Sequence, residues 1–430
     1  PGSGRAQHAR PFFLLEEKTM DRLRLAVIGV GCEPGARSGG HLDTIMRLAD
    51  AYELAALCDM DATRLRAAGE HYGVKALYTG LDTMLATEAL DVAYRLTPTD
   101  SATMVCLKLA EAGVHVINEI PIASTLGQAD ALIEACSRNG VLMEVAENVW
   151  LWPEEQLKQA IIRTGLIGQP ILARLKYPCG GYHGFNAIRM ILGSEPRRAL
   201  GYAGLVPVQP QRSYGGTPMH ECFFELGIFE FANGVTLSYE MPPKGRTWRR
   251  NWDIEGTHGQ LYGERLITVH AEPDADGHDI PLQEAEYPIE SVFDDVEGHQ
   301  ILREVRVNTP VPVVWTNPYQ DLGISAPDDI AKAEILMSMH RAVTAGVPLR
   351  YGPDNGRRDL EMWIAVRESA LRQSAWMELP LTEPTEIERQ LTTAFRNRYH
   401  ADPITGVDAL VHTPFNRLSV MWDVAGWLCQ

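Results

Sequence analysis

The feature that most constrains the fold is a nearly continuous apolar run at residues 23–30 (LRLAVIGV), which a cluster of glycines follows directly. A run of this length and composition is typical of a strand that is buried on both faces of a parallel sheet. A helical pattern comes next, at about residues 41–51. A strand, a glycine-rich turn and a helix in this order predict the beginning of a doubly wound α/β domain.

The same alternation continues to about residue 145. Short apolar runs predict further strands at 53–58, 74–78, 91–96, 114–118 and 141–145, and helical patterns occupy 101–112 and 126–139. Repeated β–α alternation with short connections predicts a parallel sheet with helices on both of its faces. We expect this first domain to span residues 20–148.

A different pattern begins after residue 150 and predicts a second domain over residues 149–382. The expected elements are a helix at 153–164, a strand at 171–177, loops rich in glycine and proline, strands at 223–231 and 235–241, and helices at 328–345 and 357–373. Alternating polar and apolar residues are typical of antiparallel strands, so we expect an α+β domain on a mostly antiparallel sheet. Residues 273–325 are acidic and weakly periodic, and we expect long loops there.

The two ends of the chain fall outside these domains. Residues 1–19 begin with Pro-Gly-Ser-Gly and precede Met20, so we expect them to be a tag or linker remnant. Residues 383–430 contain Trp422 and Trp427. A segment with this many aromatic side chains is unlike a free tail. We expect this C-terminal extension to pack on the body of the protein or on a neighbouring subunit.

The composition excludes several classes of function. The chain has 430 residues, and its 56 Asp and Glu against 39 Lys and Arg give a net charge of −17. Such an acidic chain is poorly suited to bind nucleic acid or an anionic membrane surface. It contains no apolar stretch long enough to cross a membrane. Its seven cysteines form no C-x-x-C pair, so we expect no disulfide framework, no metal site and a cytoplasmic location.

The glycines after the first strand predict a dinucleotide site. Gly29 and Gly31 follow the strand, and Ser38, Gly39 and His41 lie where the helix begins, although the turn is longer than in a G-x-G-x-x-G motif. Glycines at such a turn let backbone N–H groups approach a pyrophosphate closely. Asp59 ends the second strand 28 residues after Gly31. A carboxylate there accepts hydrogen bonds from the adenosine ribose and repels a 2′-phosphate, which favours NAD over NADP, and Asp61 is the alternative candidate.

Several motifs, in order along the chain, resemble the Gfo/Idh/MocA family (glucose–fructose oxidoreductase, inositol dehydrogenase and relatives). They are LAVIGVG (25–31), LAALCDMD (54–61), Thr97-Pro98, AGVHV (112–116), EIP (119–121), Glu147-Asn148, GLIG (165–168), HGFN (183–186), ILG (191–193), FANG (231–234), RDL (358–360) and ELP (378–380). The resemblance covers about residues 22–382 and is most specific over 22–193. It implies an N-terminal Rossmann domain and a C-terminal domain with a large, open, mostly antiparallel sheet. In the family this sheet faces the nicotinamide and often mediates oligomerisation, so a homodimer or homotetramer is expected.

The departures from the family pattern bear on the reaction. Family dehydrogenases have Glu-Lys-Pro where this chain has Glu119-Ile120-Pro121, and they tend to have Asp four residues before the site histidine, where this chain has Cys179. Only His183 of these three groups remains. Glu-x-Pro with an aliphatic middle residue and a His-Gly site resemble the NAD-dependent glycosidase branch, of the α-N-acetylgalactosaminidase and sulfoquinovosidase type. That resemblance implies transient oxidation of a glycoside at C3, elimination of the aglycone, addition of water and re-reduction.

The site candidates follow from the motifs, the resemblance and residue chemistry. His183 is the candidate base, because an imidazole titrates near neutral pH. Glu119 is a candidate catalytic residue because it follows a strand at the edge of the crevice. Tyr182 is the candidate for a phenol in the site, with Tyr177 as the alternative. Glu147 and Asn148 are a further candidate pair. The cofactor-binding candidates are Gly29, Gly31, Ser38, Gly39, His41, Asp59, Thr97, Pro98, Glu119 and Asn148. The substrate-binding candidates are Trp150, Asn186, His220, Arg246, Trp248, Arg249 and Arg250.

The last four candidates belong to the densest basic segment of the chain, residues 244–252. Guanidinium and indole N–H groups suit a sulfonate, carboxylate or phosphate, so the segment predicts an anionic sugar glycoside as substrate. A subunit contact or a solvated hairpin is the alternative. Glu221 follows His220, and this pair is either part of the site or an ordinary polar surface.

Three functions are compatible with these residues. The first is an NAD-dependent glycosidase that recycles its cofactor, and the second is an NAD-dependent sugar or cyclitol dehydrogenase that works without the lysine. The third is a catalytically silent NAD-binding protein, because Ile120 and Cys179 stand where family enzymes have reactive groups. All three functions predict a small molecule as the binding partner, or no partner. None of them predicts binding to nucleic acid or to a membrane.

Overall fold

The computed structural model describes residues 21–31, 37–177, 181–212, 218–243, 251–271, 275–278 and 283–422. Two sheets organise these residues, one parallel with six strands and one mostly antiparallel with eleven. The prediction of a doubly wound domain followed by a domain on a large antiparallel sheet is confirmed.

The N-terminal sheet has the strand order β3-β2-β1-β4-β5-β6, and all its pairs are parallel. Its strands are β1 (Leu23–Ile28), β2 (Tyr52–Cys58), β3 (Leu77–Tyr78), β4 (Val92–Arg95), β5 (His115–Asn118) and β6 (Met143–Val145). The helices between them are α1 (Arg37–Arg47), α2 (Ala62–Tyr72), α3 (Leu81–Thr87), α4 (Ala102–Glu111) and α5 (Leu126–Arg138). Successive strands are added on one side of β1 as far as β3 and on its other side from β4 to β6, so the order switches between β1 and β4. Ligands of such sheets bind in the crevice that opens at this switch point.

The central strands explain why this sequence folds as a parallel sheet. Leu25, Ala26 and Val27 in β1 and Val92 and Ala93 in β4 are all fully buried. Side chains of a strand point alternately to the two faces of its sheet, so an unbroken apolar run is stable only where helices cover both faces. The apolar run at residues 23–30 is therefore stable as a central strand of this sheet.

The second sheet has the order β16-β15-β14-β13-β12-β11-β7-β10-β9-β8-β17. Its strands are β7 (Pro170–Lys176), β8 (Pro196–Arg212), β9 (Pro218–Phe231), β10 (Thr236–Met241), β11 (Asn251–Gly256), β12 (Gly259–Tyr262), β13 (Arg265–His270), β14 (Gln283–Val296), β15 (His299–Val307), β16 (Val313–Thr316) and β17 (Met377–Glu378). The helices α6 (Pro153–Thr164), α7 (Gly181–Leu192), α8 (Pro327–Ala345) and α9 (Gly352–Leu371) accompany it. Within this second sheet, the one parallel pair among the described strands joins β7 and β10.

Two sequence expectations in this domain are wrong. The expected loops within 273–325 are largely the strands β14, β15 and β16, which extend the sheet. Polar side chains occur on both faces of β14, because Glu290 and Asp294 bind arginines across the strands, and this hides the alternation. The glycine-rich segment after residue 180 is the helix α7 and not a loop.

The C-terminal residues up to 422 pack on the body of the protein. Helix α10 (Glu386–Tyr399) contacts α9, and the short helix α11 (Val407–Leu410) contacts α4. A buried aspartate, Asp100, lies at the centre of this contact, in the turn between β4 and α4. It accepts hydrogen bonds from the Tyr399 hydroxyl at 2.8 Å, the Val420 amide and the Ser419 hydroxyl. We call residues 383–422 the C-terminal clasp.

Among the described residues, no helix is both long and apolar enough to cross a membrane.

Candidate active site

A histidine and a glutamate form a buried pair at the edge of the parallel sheet. The Nδ1 atom of His183 lies 2.6 Å from a carboxylate oxygen of Glu147, and the side chains of the two residues are 10% and 2% exposed. Glu147 follows β6, and the amide of Ala146 donates to the carbonyl of Asn118 at the end of β5. The pair therefore lies at the carboxyl edge of the sheet, where ligands of open parallel sheets bind.

Helix α7 places His183 in this position because two glycines let it pack closely. A Cβ atom at Gly184 would lie 2.6 Å from the Leu175 side chain of β7, and one at Gly181 would lie 2.4 Å from Phe185. Glycine is a poor helix former, so the segment is typical of a loop when only propensity is considered. Here the missing side chains bring the helix onto the sheet, which physically explains the wrong loop prediction.

The neighbours of the pair hold it rigidly. The Trp150 indole donates to the Glu147 carbonyl at 3.1 Å, and the Trp150 amide donates to the Asn186 Oδ1 atom at 3.1 Å. Asn186 lies one helical turn after His183 and is fully buried. Its Nδ2 atom has no hydrogen-bond partner among the described residues. A buried amide of this kind is available to a ligand or water, whereas the Trp150 indole N–H is already occupied.

A second buried carboxylate lies near the pair. Asp359 accepts hydrogen bonds from Arg189 at 2.7 Å and from the Tyr351 hydroxyl. Burial raises the pKa of Asp359 to about 7, and the charge of Glu147 also raises it. Arg189 stabilises the ionised form but does not offset the loss of hydration. The site thus contains two acidic groups, of which Glu147 is paired with the imidazole.

An aromatic wall extends from His183 to the second sheet. The Tyr177 ring lies 5.7 Å from the His183 ring and stacks on Trp252 at 5.8 Å. The Trp252 indole donates to Glu155 at 2.5 Å, and Lys158 pairs with Glu155 at 3.2 Å. Both ionic partners are buried, so they fix the orientation of Trp252 and through it the position of Tyr177.

The backbone at the end of β1 has a conformation that favours glycine, as the predicted dinucleotide-binding turn requires. Gly29 has a φ of +93°, and a Cβ atom there would lie 2.9 Å from both the amide nitrogen and the Cγ2 atom of Thr97. Only glycine fits such a backbone without strain. Gly31 is exposed, and Ser38 and Gly39 fall in the first turn of α1, where backbone N–H groups have no acceptor within the helix and so suit a pyrophosphate. Thr97 and Pro98 follow β4 across the crevice.

The two candidate aspartates have different roles. Asp59 lies at the end of β2, with its side chain 8% exposed, and accepts hydrogen bonds from the Val30 and Asp61 amides, each at 2.9 Å. Asp61 caps α2 by accepting from the Thr63 and Arg64 amides. Asp59 therefore joins the end of β2 to the residue that follows Gly29, and its ribose-binding role stays a prediction.

The remaining cofactor candidates lie along the same crevice. His41 is buried in α1 and packs edge-on against Tyr94 at 5.1 Å. Asn148 is half-buried and donates to Asp328, which pairs with Lys332 at 2.8 Å. The Lys332 ammonium abuts α1 at Gly40, where a Cβ atom would lie 2.9 Å from it. Asn148 is thus connected to the beginning of the dinucleotide helix.

Glu119 and Ile120 follow β5 next to this crevice. Glu119 is half-buried and Ile120 is 9% exposed. The guanidinium of Arg95 donates to the Glu119 carbonyl. Arg95 is not among the residues predicted from the sequence, and the signal that could have revealed it was an arginine inside a strand predicted to be buried.

Some predicted site residues remain without a structural account. Arg246, Trp248, Arg249, Arg250 and Cys179 lie outside the described residues, as does the side chain of Tyr182. His220 is exposed near the beginning of β9. The structure brings together His183, Glu147, Asn186, Trp150 and Tyr177, and it places Gly29, Asp59, Thr97 and Glu119 along the neighbouring crevice.

Comparison with known proteins identifies the family. Residues 23–147 match the family described as "Oxidoreductase family, NAD-binding Rossmann fold", GFO_IDH_MocA. The N-terminal domain belongs to the Gfo/Idh/MocA family. The strand order and the Gly29 turn agree with this assignment, and the cofactor of this Gfo/Idh/MocA domain is NAD.

Two curated relatives of this Gfo/Idh/MocA domain have different activities. A D-apiose dehydrogenase of Paraburkholderia graminis is 38% identical over 159 residues, which are 37% of this chain and 41% of that protein. A glycosyl hydrolase family 109 protein of Shewanella pealeana is 26% identical over 167 residues, covering 37% of this chain and 36% of that protein. The chain thus matches less than half the length of either relative.

Solved structures extend the similarity to the second domain. An NAD-binding oxidoreductase from Klebsiella pneumoniae superimposes with a TM-score of 0.64 at 18% identity, covering 84% of this chain and all of that one. At this identity the similarity establishes the fold of both domains.

Proposed function

We propose that this protein is an NAD-dependent carbohydrate-active enzyme that cleaves a glycoside through transient oxidation at C3 of the sugar, elimination of the aglycone, addition of water and re-reduction. The observation that carries the proposal is the buried His183–Glu147 pair beside the cofactor crevice. When bound, NAD supplies reversible oxidation of a sugar hydroxyl. The other steps are proton transfers, and side chains of this protein can perform them.

Glu147 controls the tautomer of His183. A carboxylate accepts hydrogen bonds, so the Nδ1 atom of His183 carries the hydrogen and its Nε2 atom keeps a lone pair. The negative charge also stabilises the imidazolium that forms when Nε2 takes a proton. His183 can therefore act as the base toward a hydroxyl or a C–H group that is acidified by a neighbouring ketone.

The apolar side chain at position 120 supports glycoside cleavage. Ile120 neither donates nor accepts a proton, so this chain lacks the lysine that a family dehydrogenase uses at the reacting hydroxyl. Glu119 lies beside it, half-buried, and is the candidate for the second base that an elimination requires. The similarity to the glycosyl hydrolase family 109 protein supports the same reaction.

A panel of chromogenic glycosides, assayed with and without added NAD, tests the proposal. We expect chromophore release that requires only catalytic NAD and leaves no accumulated NADH. His183→Ala is expected to abolish release while leaving NAD binding intact. Release that is independent of both NAD and His183 would contradict the proposal.

A sugar dehydrogenase is the second candidate, and the 38% identity to a D-apiose dehydrogenase favours it. This function requires one base, which His183 supplies. It predicts one NADH per molecule of free sugar oxidised and no cleavage of glycosides. NAD binding without turnover of any sugar or glycoside would instead support the catalytically silent alternative.

The anionic character of the substrate stays a prediction from sequence. It depends on Arg249 and Arg250, which lie outside the described residues. We expect their replacement by alanine to raise KM for an anionic glycoside such as a sulfoquinovoside about tenfold or more, and to leave a neutral glycoside unaffected. An unchanged KM for the anionic glycoside would contradict this prediction.

The expected homodimer or homotetramer is also a proposal, which the outer face of the second sheet supports. Tyr202 pairs across strands with Leu226, and these side chains and Ile228 are 40–55% exposed. Ion pairs at Arg198–Glu230 and Lys176–Glu240 lie at the margin of this apolar patch. A second copy of the chain would bury the patch. We expect Ile228→Arg to lower the mass measured by analytical ultracentrifugation, whereas Val311→Arg, at an exposed apolar residue between β15 and β16, should not.

A further inference from the structure

A buried arginine lies beneath the cofactor crevice. Arg95 is the last residue of β4 and is fully buried. Its Nε atom donates to the Asn118 Oδ1 atom at 2.5 Å, its Nη1 atom donates to the Thr97 carbonyl at 2.5 Å, and its Nη2 atom donates to the Glu119 carbonyl. These three acceptors are neutral oxygens. A buried charge is unfavourable unless it is well solvated by dipoles, so its presence here requires an explanation.

The groups around the guanidinium compensate its charge only in part. Burial lowers the pKa of Arg95, and the thiol of Cys106 stays neutral because burial raises its pKa to about 12. The carboxylate of Glu119 is near enough to favour the charged form of Arg95. This carboxylate is half-buried at the crevice, where water screens its charge more strongly than it screens the charge of the fully buried guanidinium.

The three acceptors belong to the two loops that border the crevice. Thr97 follows β4, and its backbone packs against Gly29 in the dinucleotide turn. Glu119 follows β5, and Asn118 also donates from Nδ2 to the Ile122 carbonyl at 2.9 Å. Arg95 therefore sets the separation of the loop after β4 from the loop after β5.

The position of Arg95 relative to the cofactor follows from the sheet topology. Arg95 pairs with Ile28 of β1 and with Asn118 of β5, at the point where the strand order reverses. A dinucleotide bound in this crevice would cross this point, with Asp59 at the end of β2 as the candidate for its ribose and with its nicotinamide half on the side of β4 and β5. Arg95 thus lies under the nicotinamide half of the crevice.

We propose that Arg95 is a positioning residue that holds the Thr97 and Glu119 loops, and that its buried charge favours the neutral reduced nicotinamide over the cationic oxidised one. The inference rests on NAD binding and not on glycoside cleavage. A positive charge beneath the crevice repels the oxidised ring and leaves the reduced ring unaffected, so it promotes oxidation of the substrate. It supplies a fixed cation near position 120, which has no lysine.

Equilibrium binding of NAD and NADH to purified variants tests both parts. Arg95→Met removes the charge and is expected to lower the ratio of Kd for NAD to Kd for NADH about tenfold. Arg95→Lys keeps the charge, so we expect the ratio to change less than about twofold. The lysine ammonium of this variant lacks the planar set of donors of a guanidinium and cannot bind all three acceptors of Arg95. We therefore expect the Kd for NAD and the Kd for NADH each to rise about tenfold in Arg95→Lys. The matched control is Arg367→Lys at a buried arginine on α9, which should leave both Kd values unchanged.

A second variant keeps the test valid if Arg95→Met does not fold. Asn118→Asp retains the acceptor for Arg95 and neutralises the cation with a carboxylate, so it should lower the same ratio. A ratio unchanged in both Arg95→Met and Asn118→Asp would overturn the electrostatic part. Unchanged Kd values in Arg95→Lys would overturn the positioning part.

Discussion

The Nδ1 atom of His183 lies 2.6 Å from the carboxylate of Glu147, and this contact joins the helix that follows the first strand of the second domain to the last strand of the first. The base and the group that orients it thus come from different domains. Assembly of the site depends on correct docking of α7 against the end of β6.

We expect Glu147→Gln to lower kcat about 10²- to 10⁴-fold and to leave the Kd for NAD unchanged. A glutamine can stabilise the wrong tautomer of His183 and cannot stabilise its imidazolium. The measurement is steady-state kinetics on whichever substrate the wild type turns over. The double variant with His183→Ala should lose no more activity than His183→Ala alone, because the two residues act as a unit. Additive losses would contradict this coupling.

Asp59→Ala is expected to raise the ratio of NADP affinity to NAD affinity about tenfold or more. Loss of the carboxylate removes repulsion of a 2′-phosphate, and the partly exposed guanidinium of Arg64, 3.3 Å from Asp59, becomes available to it. Fluorescence titration with the two cofactors measures the change. Asp61→Ala is the control, and it should lower the melting temperature through loss of the α2 cap without changing the ratio. A changed ratio in Asp61→Ala alone would transfer the ribose-binding role to Asp61.

Much of the parallel domain was predictable from sequence, because each of its strands is a short apolar run between turn residues. Gly29, Asp59 and Thr97 were also singled out from the sequence, and the structure places them at the ends of neighbouring strands, while their contacts with the cofactor stay a prediction. The second domain was less predictable. Glycines in α7 serve packing against Leu175, and charged residues of β14 pair with arginines of β15 where the acidic composition had predicted loops.

The site itself was only partly predictable, because its contacts join residues far apart in the chain. His183 and Glu147 were separate candidates, but nothing in the sequence specifies that they pair across 36 residues. Arg95 was missed because its burial depends on three carbonyl and amide oxygens that only the folded loops supply.

The stability of the protein should depend on pH through Asp359. The pKa of this group in the folded protein is about 7, above that of an exposed aspartate, so the folded state binds more protons than the unfolded chain between about pH 4 and 7. The contribution of Asp359 to the free energy of unfolding therefore decreases as pH rises across this range. We expect Asp359→Asn to remove this contribution from the slope of the free energy of unfolding against pH. Urea denaturation at a series of pH values measures this slope. Asp354→Asn, at an exposed residue of the same helix, should retain the wild-type slope.

Asp100 should determine how firmly the C-terminal clasp is held. Asp100→Asn replaces a buried charged acceptor of the Tyr399, Ser419 and Val420 hydrogen bonds, and we expect a loss of about 1–3 kcal/mol in the free energy of unfolding. Faster proteolysis and hydrogen exchange within residues 383–422 should accompany it. Asp408→Ala, which breaks an ion pair between Lys108 and an exposed aspartate, should change stability little. Equal effects of the two variants would contradict a central role of Asp100.

The most direct test of the account is the isotopic composition of the sugar released from a glycoside in D₂O with catalytic NAD. Oxidation at C3 makes the C2 proton acidic, so the account predicts deuterium at C2 of the product. It also predicts no deuterium when NAD is omitted or when His183 is replaced by alanine. Released sugar that retains its original hydrogen at C2, or stoichiometric NADH without cleavage, would contradict the proposed reaction.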